Sequence, residues 1–419
     1  MTARDQTSAR TSKAAPGVFA AAGLIAVVTL VARVFGFGRW LVFSQSVGAT
    51  CVGSVYQAAN QLPNVVFEVA AGGALAAVAV PIIAGQRARN DQIAATQTAS
   101  AMLTWALTLL VPLSILMAAA AAPLSAFLVD SQRCSGSTDL MTSMVVVFAP
   151  QIALYGVGIV LAGVLQAHRR FLAAAMAPLL SSVVVIATYL LYAAMAQGRG
   201  NDLARLPSSA STVLAAGTTL GVVALSLPLL VPVHRAGISL RPTWTFPDGV
   251  ARRARALAAA GLLALLAQQI AVLVTLWVSQ HRGGTGTLNV YTYVQAVYLL
   301  PYAVLAVPIA TAAFPAMATG PDRTSAVPLG LSKSARATGS DPMVVERVRG
   351  TLVSSVRAIT LATCTGAAVL FAVAGPAGAF CNPLAAVRPS PAGQQALAAL
   401  PGALRALPPR SARVAVGRC

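Results

Sequence analysis

Residues 17–44 read GVFAAAGLIAVVTLVARVFGFGRWLVFS, an apolar run interrupted only by Arg33 and Arg39. Coiled at 1.5 Å per residue, it reaches about 42 Å, more than the ~30 Å of a bilayer's hydrocarbon. A cleavable secretory leader would end in an A-x-A site before a polar mature chain, whereas this run continues through both arginines. It reads as a retained first membrane helix.

Working outward, eight more blocks of comparable length follow, at about 62–85, 95–122, 140–167, 172–196, 211–233, 256–279, 288–318 and 352–375. The whole chain agrees: 57% of its 419 residues are apolar and only 9% charged, with a mean hydropathy of +0.76. Soluble domains carry about a quarter charged residues. The expected class is therefore an all-α polytopic membrane protein. Loop charge orients it. With the amino terminus in the cytoplasm, inner segments carry 17 Lys and Arg residues and outer loops only Arg133, Arg199, Arg205 and Arg282. That asymmetry is what the positive-inside rule demands of nine spans.

The same distribution excludes other classes. A net charge of +19 invites nucleic acid, but phosphate grooves need bases clustered on a soluble face, and here they sit in short loops. Five widely spaced cysteines form no C-x-x-C pair, and three histidines fall at block ends, so no metal site is expected. Membrane transferases that handle pyrophosphate through Mg²⁺ need clustered acids. Ten acids in the whole chain, without a cluster, point away from an enzyme, and no cofactor is expected. No P-loop, G-x-S-x-G or H-E-x-x-H run occurs.

After Phe380 the pattern breaks. Residues 381–419 hold arginines and prolines, no acid, no aromatic and no block able to span. The break suggests that a shifted frame or a truncation replaced a continuing membrane domain; a natural disordered tail is the alternative.

Charged and polar residues inside the spans carry the functional reading. An arginine within a span costs at least ~2.5–3.5 kcal/mol unless it faces protein or water. Guanidinium suits phosphate because its fork grips two oxygens. Arg33 and Arg39 are six residues apart, about 9 Å along a helix and about 120° around it. Both face one cavity only if it is wide or the helix bends, and Gly36 and Gly38 permit a bend. Snorkelling to the interface is the competing reading. The second block opens with Gln61-Leu-Pro-Asn64 and continues through Glu68 to Gly72-Gly73. Pro63 and the glycine pair predict a broken or closely packed helix, as in transporter cavities. Glu68 could pair with an arginine, bind a coupling cation or lie at the interface. Gln295, in a later span, is a polar candidate whose commoner use is interhelical bonding.

The run Ala32-Arg-Val-Phe-Gly-Phe-Gly-Arg39, with Gly48-Ala49, Asn60-Gln-Leu-Pro-Asn64 and Glu68-Val-Ala-Ala-Gly-Gly, resembles the amino-terminal signature of the MurJ (MviN) lipid II flippases, in an actinobacterial form. Leu165-Gln-Ala-His-Arg-Arg-Phe171, Tyr291-Thr-Tyr293 and Leu300-Pro-Tyr302 extend the likeness over roughly 17–376. The resemblance implies a transporter fold of the multidrug/oligosaccharidyl-lipid/polysaccharide (MOP) superfamily, MATE-like, with about nine of fourteen expected helices. It also implies a basic terminus (1–16), a six-helix first lobe (17–235), a partial second lobe (236–376) and a non-family tail (377–419). Arg33 and Arg39 match the arginines that would engage pyrophosphate. Glu68 stands where many members have arginine, Gln295-Ala296 where they have an Asp-Arg pair, and Ser54 where they have aspartate.

The implied function is outward movement of lipid II, an undecaprenyl-pyrophosphate-linked peptidoglycan precursor, across the cytoplasmic membrane by alternating access. Arg33 and Arg39 would bind pyrophosphate. Glu68, Ser54, Gln61 and Gln295 would serve the cavity or coupling, and Gly36, Gly38, Pro63, Gly72 and Gly73 would act as hinges. The implied partners are lipid II, membrane lipids and cell-wall synthesis or division proteins. The alternatives are export of another polyprenyl-linked saccharide or a drug, and a non-transporting relative acting as a wall-assembly scaffold or an inactive truncated product.

Overall fold

A computed structural model describes residues 16–72, 82–87, 89–130, 132, 134–168, 170–247 and 250–301. Gly73, the ninth block and the tail lie outside the described residues, as do residues 1–15. The described residues form helices and no strands. α1 (Pro16–Ser46) runs unbroken through Arg33, Gly36, Gly38 and Arg39. α2 (Cys51–Phe67) passes through Pro63 and gives way to a π-helical turn, Glu68–Gly72. Then come α3 (Gln92–Ala119), α4 (Ala121–Leu128), α5 (Ser137–Phe148), α6 (Gln151–Ala167), α7 (Phe171–Ala196), α8 (Ser208–Ser226), α9 (Leu230–His234), α10 (Val250–His281) and α11 (Thr287–Pro301). Among the described residues, four stretches are long and apolar enough to cross a membrane: Gln92–Ala119, Ser137–Ala167, Phe171–Ala196 and Ser208–His234.

The second span corrects the expectation most. Its helix begins at Cys51, well before residue 62, because Ser54, Gln57, Asn60 and Gln61 interrupt the apolar run without interrupting the helix. Those side chains are buried or half-buried, so burial inside the protein replaces the lipid contact that a hydropathy block assumes. Local chemistry fixes the start: Gly48 turns the chain at φ +67°, and Thr50 Oγ1 accepts the Gly53 N–H at 3.1 Å, a standard N-cap. Asp91 does the same for α3, accepting from Ala94 N at 2.9 Å. At Pro150 the fourth span jogs between α5 and α6, since proline offers no N–H to the preceding turn.

α7 packs against both α1 and α8, α3 against α6, and α2 against α5. Small residues make this close approach feasible in an apolar medium. Gly217 and Gly221, one turn apart on α8, sit against Thr188 and Val185 of α7. Gly156 of α6 similarly accommodates Leu110 of α3. After α9 the chain lies along α3, where Arg241 N and Thr243 N donate to Ser100 Oγ and Thr104 Oγ1 at 3.2 and 3.1 Å. Trp105 Nε1 donates to the Trp244 carbonyl at 3.0 Å.

Candidate functional site

Between α1, α2, α6, α7, α8 and α11 lies a cavity of about 370 Å³, within the range of small-molecule sites. α1 contributes Arg39 and Trp40; α2 contributes Tyr56, Gln57, Asn60, Gln61 and Asn64; α11 contributes Thr292, Gln295 and Ala296. Tyr155, Ser181, Tyr189 and Thr218 complete most of its polar wall. Arg39 carries the only charge among these lining residues. Its guanidinium lies 5.7 Å from the Trp40 ring centroid, a cation–π separation.

An aromatic cluster covers one end of the cavity. Phe43 is fully buried between Tyr56 and Tyr189, with ring centroids 5.4 and 5.2 Å away. The Tyr56 hydroxyl bonds to those of Tyr189 and Thr218 at 2.9 and 3.0 Å. Tyr293 of α11 meets Trp40 and Phe43 edge-on at 6.1 and 6.2 Å. Beyond this cluster α10 and α11 bond directly to the α1–α2 turn. Gly286 N donates to Ser54 Oγ at 2.9 Å, Gln280 Nε2 to the Ser54 carbonyl at 3.1 Å, and Asn289 Nδ2 to the Gly48 carbonyl at 2.7 Å. Gly286 holds φ +85°, and a Cβ there would meet Ala49 Cβ at 2.5 Å. A Cβ on Gly53 would run into the Gly48 carbonyl. Glycine is required at this junction because backbone meets backbone.

Of the residues singled out in the sequence, Arg39, Gln61 and Gln295 meet at the cavity. Arg33 is exposed and lies off the cavity lining. Ser54 is buried in the α10–α11 junction beyond the aromatic cluster. Glu68 is half-buried and opens the π turn that Gly72 closes, away from the lining. Gly36 and Gly38 leave space around them, a Cβ on either meeting nothing within 4 Å. Sequence reading missed Gln57 and Asn60 as site residues, although their spacing from Gln61 and Asn64 is the periodicity of one helix face.

It also missed a disulfide. Cys51, at the start of α2, is bonded to Cys134, between α4 and α5, with Cα atoms 6.1 Å apart. The turn around Cys51 further receives the α7–α8 loop: Val52 N donates to the Gly200 carbonyl at 3.0 Å and Cys51 N to Asn201 Oδ1 at 3.1 Å. The turn at 47–50, the segment at 134–136, and the loops at 197–207 and 282–286 thus gather at one end.

Solved structures match this arrangement. A lipid II flippase MurJ in an inward closed conformation superposes with a TM-score of 0.62 at 15% identity, covering 91% of this chain and 73% of its own. An inward-facing multidrug resistance MATE family transporter of the MOP superfamily gives 0.62 at 16%, covering 93% and 82%. Both show the fold. Among curated proteins, the probable lipid II flippase MurJ of Rhizobium meliloti is 28% identical over 300 residues, or 69% of this chain and 53% of the relative. The corresponding protein of Rhizobium tropici is 24% identical over 292 residues, again 69% and 53%. The chain spans about half the length of these relatives. The family model described as lipid II flippase MurJ matches residues 43–377, and on that match the chain belongs to the MurJ family of membrane transporters.

Proposed function

We propose that this protein moves lipid II outward across the cytoplasmic membrane by alternating access, with Arg39 receiving the pyrophosphate inside the cavity. One observation carries the reading. Arg39 lines the cavity, and no carboxylate pairs with it among the described residues. A guanidinium among apolar spans is retained at a cost, and an anionic visitor offsets that cost. The MATE match, at the same TM-score as the flippase match, leaves cargo undecided by fold alone; the cation favours a phosphate-bearing lipid over a drug. Arg33 would meet the pyrophosphate elsewhere along its path. Gln61 and Gln295 would contact cargo, Ser54 would close the far end, and Glu68 would couple ions or pair with an arginine. Hinge motion would draw on Pro63, the Glu68–Gly72 turn with Gly73, and Gly36 and Gly38, with residues 17–235 and 236–376 rocking as lobes.

A cytoplasmic amino terminus is supported from two independent directions. The loops at the disulfide end carry few arginines, and disulfides persist in oxidising compartments outside the cytosol. The test is translocation of fluorescent lipid II by the full chain in proteoliposomes. Arg39→Ala is expected to slow it roughly tenfold or more, with Arg39→Lys keeping part of the rate as a point charge. Unaltered transport by Arg39→Ala would remove the proposed role of the guanidinium.

A further inference from the structure

The face of α2 that meets the cavity is a ladder of carboxamides. Gln57, Asn60, Gln61 and Asn64 fall at i, i+3, i+4 and i+7, a narrow stripe on one side of a helix, and all four line the cavity. Polar stripes in membrane bundles ordinarily bond to neighbouring helices. This one does not. The Asn64 amide donates within its own helix, to the Asn60 carbonyl at 2.9 Å. Gln57 is only 4% exposed, and its Nε2 has no hydrogen-bond partner among the described residues. A buried amide donor left in this state is costly, so something that enters the cavity is expected to complete it.

The chemistry of the wall says what. Among the described residues no acid lines the cavity, and Arg39 is its one charge. Carboxamides carry donors and an acceptor on one plane, which suits groups that also donate and accept, such as sugar hydroxyls and acetamides. Building on the reading above, we infer that the carboxamide face of α2 recognises the neutral saccharide of a polyprenyl-linked cargo, with Gln57 turning its unpaired amide to meet it, while Arg39 takes the phosphate end.

The full chain in lipid nanodiscs can be titrated with undecaprenyl pyrophosphate and with the same lipid bearing an uncharged disaccharide of two N-acetylglucosamines. Gln57→Leu and Asn60→Leu are each expected to weaken the saccharide-bearing lipid roughly three- to tenfold. Affinity for the bare lipid should stay within about twofold, a span too small to count as one lost hydrogen bond, and its retention also reports an intact fold. Arg39→Ala should weaken both. Equal losses for the two lipids, or none, overturn the inference and leave the flippase reading standing. A wild-type chain that binds neither lipid overturns both.

Discussion

Where α1 turns into α2, the backbone of Gly286 meets Ala49, Ser54 and Gly48 each accept bonds from α10 or α11, and a disulfide ties Cys51 to Cys134. At the opposite end, around 86–91, 167–170 and 234–247, the described hydrogen bonds stay within α1–α9 and the chain laid along α3. There Arg87 Nη1 donates to the Ala167 carbonyl at 3.2 Å, and Gln97 reaches Thr245. Among the described residues, side-chain hydrogen bonds from α10 and α11 to the rest of the bundle occur only at the first end. The difference separates two jobs. On the proposed alternating access, the first end would be the sealed one, held by close backbone packing. The other is spread with arginines, of which Arg87 donates to a backbone carbonyl.

The strongest way to break the contrast is Gly286→Val. Valine at φ +85° is strained whatever space surrounds it, and its Cβ would press on Ala49. Overpacking of this kind costs about 1–3 kcal/mol, a shift of roughly five- to a hundredfold in the population of the sealed state. A cysteine at the buried, cavity-lining Thr292 should then react with a membrane-impermeant maleimide at least about fivefold faster than with Gly286 intact. Unchanged reactivity would mean that the glycine junction is not the seal.

The disulfide sharpens the comparison by assigning sides. It closes a loop with a sequence separation of 83 residues, and a bridge of that kind typically contributes about 2–4 kcal/mol. Paired Cys51→Ser and Cys134→Ser changes should lower the melting temperature of the purified chain. In cells, an impermeant reductant should reach the bond from outside the membrane alone. A bond that only a permeant reductant opens would place this end in the cytosol and reverse the proposed topology.

How much of this was legible in sequence depends on whether a residue's role is local. Arg39 stood out because a charge inside an apolar block is anomalous wherever the block packs, and it does line the cavity. The start of α2 was hidden for the converse reason. Hydropathy assumes that every face of a span meets lipid, so Gln57 and Asn60, which line the cavity, fell outside the apolar block. Their i, i+3, i+4 spacing with Gln61 was a usable signal once helix periodicity, not mean polarity, was the criterion. Cys51–Cys134 and the Gly286–Ala49 contact join positions far apart in the chain, and spacing carries no trace of them. Ser54 was marked as a departure from a family aspartate, but its partner, the N–H of Gly286, is tertiary.

The smallest expected effect probes the arginine-rich end. His168 caps α6, its Nδ1 2.8 Å from the Val164 carbonyl. Burial, reinforced by the nearby positive charges of Arg87 and Arg170 and opposed by that backbone bond, holds its imidazole below its ordinary titration range. A histidine whose folded pKa is depressed takes up its proton first in the unfolded chain. Its penalty is therefore absent above the unfolded value of about 6.5, begins as pH falls through that value, and is complete below the folded one. His168→Gln keeps a polar cap but cannot titrate, so its melting temperature should fall less than the wild type's between about pH 7 and pH 5. All other ionisable groups are common to both proteins, so the difference isolates one imidazole. Parallel curves across that window would mean that proton uptake at His168 is no harder in the folded protein than in the open chain, and that the arginines at this end are too well screened to repel one more charge.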